Sequence, residues 1–168
     1  RQSLLIGGIL AVLILLLFLR SASSTLVIAT AIPISIVGTF LLMALFGRTL
    51  NVVSLAGISF AIGMLVDNSI VVLEAIQRRR EKGLDEAAAA DQGAGEVSRA
   101  VVASTLTTIC VFVPIVFVEG IAGQLFGDQA LTVTFSLVIS LLVALTVLPM
   151  LASRDFRPEA ETEPDDEA

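Results

Sequence analysis

Histidine is absent from the 168-residue chain, which removes His-based catalytic triads and histidine metal sites from consideration. The one cysteine, Cys110, allows no intrachain disulfide and suggests no metal cluster. It reads as a small hydrophobe within a membrane helix. A Walker A loop, a GxGxxG at a strand end and a basic aromatic patch are all missing, so nucleotide-driven and nucleic-acid functions find no support. No nucleophile and base pair is visible either, and the chain is not read as an enzyme. Charge is scarce: 15% of residues are charged against 56% hydrophobic, with a mean hydropathy of +0.96. Those values lie far outside the soluble globular range and define a membrane protein. An initiator Met and a removable signal pattern are also lacking. Because the chain starts inside an apolar run, it is expected to be a piece of something longer.

The net charge of −6 is unevenly placed. From Asp155 onward there are seven acids and one base, Arg157, so residues 1–154 are neutral as a group. Residues 155–168, alternating Pro, Glu and Asp, read as an acidic disordered tail. Ahead of it the composition predicts an all-α membrane protein, a five-helix transmembrane bundle with spans at about 3–19, 25–46, 51–76, 97–118 and 131–152. Pro33 is expected to kink the second span, and Asn51 to cap the third. Residues 77–96 read as a loop with a short, alanine-rich interfacial helix that Gly93 and Gly95 end. The loop from Glu119 to Ala130 precedes the fifth span, and its Glu119 and Asp128 read as solvated charges.

The third span holds the chemistry. In SFAIGMLVDNSIVVLE, Asp67 and Asn68 interrupt an apolar segment long enough to cross a hydrocarbon core of roughly 30 Å. A carboxylate at that depth costs several kcal/mol unless it faces protein or water, so its default reading is functional. Ala56, Ser59, Gly63 and Asp67 recur at three- or four-residue steps, and Ser54, Gly57, Ala61, Met64 and Asn68 form the adjacent stripe. Small residues let helices approach closely in lipid. Both stripes are therefore expected to face other helices, with Leu65, Ile70, Val72 and Leu73 covering the remaining surface. Glu74, two turns beyond Asp67, reads as an interfacial charge that snorkels or pairs with the cluster Arg78, Arg79, Arg80 and Lys82 in preference to a second proton site. The cluster itself reads as a topological anchor more than a lipid-specific site. Ser104, Thr105, Thr107 and Thr108 either bond back to their own helix or contact Asp67. Glu74, Thr105 and Thr108 are thus the supporting candidates around Asp67 and Asn68.

Orientation follows from basic residues. Five spans put Arg20, the 77–96 loop with Arg99 and the C-terminus on one side, which holds eight of the ten Lys and Arg residues; Arg1 and Arg48 lie on the other. The positive-inside rule makes the richer side cytoplasmic and the Arg1 end periplasmic.

GMLVDNSIVVLEA, the RRREKG exit, STLTTICVFVPIVFVEGIAGQLF and ALTVTFSLVISLLVALTVLPMLASR together resemble the resistance-nodulation-division (RND) superfamily of proton-driven exporters, most closely its bacterial hydrophobe and amphiphile efflux branch. The resemblance covers nearly all of residues 1–154 and implies the second to sixth transmembrane helices of a twelve-helix protomer. It implies an inner-membrane pump that exports drugs or other amphiphilic compounds by proton antiport. Proton-motive force then serves in place of a cofactor. Asp67 occupies the first of two acidic positions in the family's proton-relay motif, and Asn68 departs from the variant with two aspartates. The basic partner of Asp67 belongs to the second half of such a transporter, as do further helices. A homotrimer, a periplasmic adaptor, an outer-membrane channel and surrounding membrane lipids complete the implied partners.

Two alternatives stand beside this reading. The same helices resemble the sterol-sensing domain of lipid-handling relatives, so a stand-alone lipid- or sterol-sensing module is the first. An inactive fragment is the second. Asp67 separates the sensor from the exporter, because a sensor has no need of a midmembrane carboxylate, whereas a proton-driven machine does.

Overall fold

The computed structural model describes residues 22–49 and 51–154. The predicted first span at 3–19 and the tail at 155–168 lie outside the described residues. Five helices follow in order: α1 (Ala22–Leu45), α2 (Val52–Glu81), α3 (Glu86–Val116), α4 (Ile121–Leu145) and the short α5 (Val147–Ala152). Four stretches, Thr25–Leu45, Val52–Glu81, Glu86–Val116 and Phe126–Ala152, are long and apolar enough to cross a membrane. The described residues thus form an all-α membrane bundle.

Local chemistry sets the turns. α1 runs through Pro33 without a break and stops where Gly47 takes φ 64°. There the Arg48 N–H bonds to the Met43 carbonyl and the Gly47 N–H to that of Ala44, the paired pattern that closes a helix through a left-handed residue. Asn51 then caps α2, its side-chain oxygen accepting from the Ser54 N–H at 2.7 Å. The other end of α2 closes the same way at Gly83, φ 87°, with Leu84 bonded back to Arg79 and Gly83 to Arg80.

Residues 77–96 are not a loop with an interfacial helix. They are the adjoining ends of α2 and α3, 30 and 31 residues long, separated only by 82–85. At 1.5 Å per residue each helix is about 45 Å long, more than a hydrocarbon core of roughly 30 Å requires, so both extend past it. Gly93 and Gly95 do not end a helix. A Cβ on Gly93 would lie 2.6 Å from the Ile76 Cα, so the two backbones approach closely at this glycine. Ala89 and Ala90 nearby are buried, and Ala90 shares an apolar cluster with Val72, Leu73 and Ile76 of α2.

The fifth predicted span also changes shape. Helix begins at Ile121, inside the expected loop, and is interrupted at Thr146 (φ −121°, ψ −63°) before resuming as α5. Pro149 supplies the reason: it has no N–H for the carbonyl of Leu145, four residues earlier, and its ring crowds that carbonyl.

α2 is the central element, packed against both α3 and α4, while α1 lies mainly on α4. An apolar core cluster is built from Val27, Ile28 and Ala31 of α1, Val72, Leu73 and Ile76 of α2, Val143 and Ala144 of α4, and Leu148 of α5. Leu65, Val72 and Leu73 are buried, so they belong to this interior and not to the outer surface expected for them. In lipid, where apolar surface gains little by leaving its surroundings, such contacts stabilise through close packing.

Polar groups tie both ends. Near the α1–α2 turn, Asp128 accepts from Arg48 at 3.3 Å and from the Asn51 amide at 3.2 Å. Asp128 is therefore a tether between this turn and α4, not a simply solvated charge. At the opposite end, Arg79 donates through Nε and an Nη to Glu96, and Arg80 pairs with Glu86 and reaches the Ala152 carbonyl. The arginine cluster thereby joins α2 to α3 and α5, whatever else its charge does.

Candidate functional site

α2 has two faces of different character. Ser54, Gly57, Ala61, Leu65, Ser69, Val72 and Ile76 are buried against the rest of the bundle. Ala56, Ser59, Gly63 and Asp67 are exposed. Of the two small-residue stripes, the one through Gly57, Ala61 and Asn68 is the one turned toward the other described helices. A Cβ on Gly63 would find nothing within 4 Å, whereas one on Gly57 would lie 3.2 Å from the Gln129 carbonyl oxygen of α4.

Asp67 and Asn68 therefore part company. Successive residues of a helix point about 100° apart, and that rotation sends Asn68 inward and Asp67 outward. Asn68, half-buried, donates its amide to Thr105 Oγ1 at 3.1 Å, and Thr105 is only 2% exposed. Asp67 has no hydrogen bond or ion pair among the described residues. Counted along the helix, it lies about 22 Å from the Val52 end and about 16 Å before Arg78, well within an apolar span.

The hydroxyls of α3 divide in the same way. Ser104, Thr107 and Thr108 donate to carbonyls of their own helix, at Val101, Ala103 and Ser104 respectively. Thr105 holds Asn68, and neither Thr105 nor Thr108 bonds to Asp67. Glu74 is paired with Arg78 at 3.5 Å, both side chains being more than half exposed. Beside this surface, Phe60 of α2 and Phe112 of α3 meet edge to face, with ring centroids 5.9 Å apart.

A further polar group escaped the sequence reading. Ser35 and Thr39 of α1 face Ser136 of α4 around a small cavity that Ile58, Ala61 and Leu65 of α2 close. Ser35, Thr39, Ser136 and Ser140 are all buried. Their signal was present as two runs of hydroxyl residues at four-residue spacing, Ser35 with Thr39 and Thr132 with Ser136 and Ser140. Among the described residues no group of three His, Cys, Asp or Glu side chains converges on a point that would hold a metal.

The fold defines a polytopic helical membrane bundle, and on one of its apolar helices it carries a carboxylate with no partner among the described residues. Comparison with known proteins gives the particular family. The sequence matches the AcrB/AcrD/AcrF family over residues 1–165, and the chain belongs to that family. It is 43% identical over 157 residues to the multidrug resistance protein MdtC of Pectobacterium carotovorum, with 94% of this chain and 15% of that protein covered. Against the protein of the same name in Photorhabdus laumondii it is 42% identical over 164 residues, covering 96% of this chain and 16% of the relative. The Escherichia coli protein of that name is 43% identical over 151 residues, at 90% and 15% coverage. The chain thus spans about one-sixth of the length of these relatives.

Proposed function

We propose that this chain is the proton-handling part of the transmembrane region of an RND-type pump, which exports drugs or other amphiphilic compounds in exchange for protons. The observation that carries the proposal is Asp67, exposed and without a partner among the described residues, on an apolar span. Ala56, Ser59 and Gly63 leave room beside it for another helix to close in. A bare carboxylate at such depth costs several kcal/mol in lipid, so its partner comes from outside the described residues. The second half of the pump supplies that partner, a cation on a facing helix.

The chemistry follows from two environments. A carboxylate in an apolar interior holds its proton more tightly, and a nearby ammonium releases it. A helix shift that moves the cation toward or away from Asp67 then couples motion to proton uptake and release. The membrane potential contributes about 2.3 kcal/mol per elementary charge per 100 mV. Asn68 takes no proton; through Thr105 it fixes the rotation of α2, so that Asp67 points away from α3. Glu74, held by Arg78 at the helix exit, lies outside the relay.

The family match and the names of the relatives favour a pump over a lipid- or sterol-sensing module. On this reading the pump sits in a bacterial inner membrane with the α2–α3 turn cytoplasmic, in agreement with the basic side of the sequence. It works as a homotrimer with a periplasmic adaptor and an outer-membrane channel. Proton-motive force is its energy source.

The test is Asp67→Asn in the full-length transporter, scored by drug efflux from cells at matched membrane expression. Efflux is expected to vanish. Unchanged efflux from the well-expressed variant would end the proposal.

A further inference from the structure

Hydroxyl groups within the helices of this bundle have a habit. Thr30, Thr39, Ser59, Ser69, Thr107, Thr108, Thr132, Thr134 and Ser136 each donate to the carbonyl four residues earlier, as Ser and Thr in membrane helices commonly do. Ser140 and Ser35 break it, the Oγ of each being buried and without a partner among the described residues; of the two, Ser35, 2% exposed, lines a cavity. A buried hydroxyl without a bond costs about 1–3 kcal/mol, so its partner calls for identification.

The place where Ser35 lies answers this. It lines a cavity of about 10 Å³ between α1, α2 and α4, near the volume one water needs, on the order of 10–15 Å³. Two more hydroxyls, Thr39 and Ser136, line the same cavity. Each spends its proton on a backbone carbonyl, Thr39 on Ser35 and Ser136 on Thr132, and keeps its oxygen lone pairs for accepting. The three therefore offer one donor and two acceptors, the complement of a single water molecule. The remaining wall is apolar: Ile36 of α1 with Ile58, Ala61, Ile62 and Leu65 of α2. No carboxylate lines the cavity, which disfavours a cation.

We infer that this cavity is a binding site for one internal water, which accepts from Ser35 and donates to Thr39 and Ser136. The water joins α1 to α4 behind α2, on the face away from Asp67. It is a structural ligand of the bundle, independent of whether Asp67 carries protons.

The test is a density map of the full-length transporter at a resolution where other buried waters are visible, about 2 Å. A peak within hydrogen-bond distance of Ser35 Oγ, Thr39 Oγ1 and Ser136 Oγ is expected. Ser35→Val, which fills the space and removes the donor, is expected to abolish it. Absence of the peak in the unaltered protein, with other internal waters resolved, overturns the inference. So does a Ser35 hydroxyl turned onto the Ala31 carbonyl, or a peak that persists unchanged in Ser35→Val. The map of the unaltered protein decides the matter even if the variant fails to fold.

Discussion

The two faces of α2 share one helix and nearly the same residue types, yet they have opposite uses. On one, Gly57, Ala61 and Ser69 are buried in contact with neighbours whose identity is known. On the other, Ala56, Ser59 and Gly63 are just as small but exposed, and they lead to Asp67, which has no partner among the described residues. The difference teaches that small residues in a membrane helix mark where a helix can come close, without saying which one. It also separates Asp67, which has no partner among the described residues, from Asn68, which bonds to Thr105.

The comparison can be broken at several points. The largest expected effect, after loss of Asp67, is at Gly63. Gly63→Ile in the full-length transporter should leave membrane insertion intact and remove most drug efflux, because the added side chain stands where a facing helix must approach. Efflux equal to that of the parent would show that nothing packs there. On the inner side, Gly93→Ala should lower the thermal midpoint by an amount corresponding to about 1–3 kcal/mol, since its Cβ meets the Ile76 backbone at 2.6 Å and backbone cannot swing aside. A midpoint unmoved by Gly93→Ala would refute the close α2–α3 approach.

A smaller effect sharpens the contrast between neighbours. Asn68→Ala and Thr105→Val should each destabilise by about 0.5–2 kcal/mol, and the double variant should cost little more than either, as expected for one shared hydrogen bond. Strict additivity would mean that the two side chains act separately. The smallest effect is at Glu74. Its pair with Arg78 is exposed on both sides, so Glu74→Gln should leave efflux within a factor of two of the parent at matched expression. A loss as deep as that expected for Asp67→Asn would make Glu74 part of the relay.

Much of the fold was legible because lipid imposes a simple demand: about 20 apolar residues per crossing, with backbone groups satisfied internally. The helices around Pro33, Asp67 and Pro114 follow from that demand alone. What was hidden depended on contacts. Gly93 and Gly95 look like helix ends by composition, but the helix runs through both, and at Gly93 the missing side chain makes room for the Ile76 backbone. The break at Thr146 arises from Pro149 three residues later, because a proline disturbs the carbonyl four residues before it. Leu65, Val72 and Leu73 were misplaced because large apolar residues suit lipid and interior equally well. Asp67 stood out in the sequence as a charge in an apolar run. That it and Asn68 face different ways follows from helical rotation, but which of them faces inward needed the position of Thr105.

The central claim is that Asp67 carries the exchanged proton. Drug-dependent proton movement in proteoliposomes holding the full-length transporter tests it most directly, with Asp67→Asn and Asp67→Glu compared at equal incorporation. The account predicts that adding drug drives proton flux in the parent, that Asp67→Asn abolishes this flux while the protein still binds drug, and that Asp67→Glu keeps a measurable part of it. Proton flux in Asp67→Asn equal to that of the parent would contradict the account.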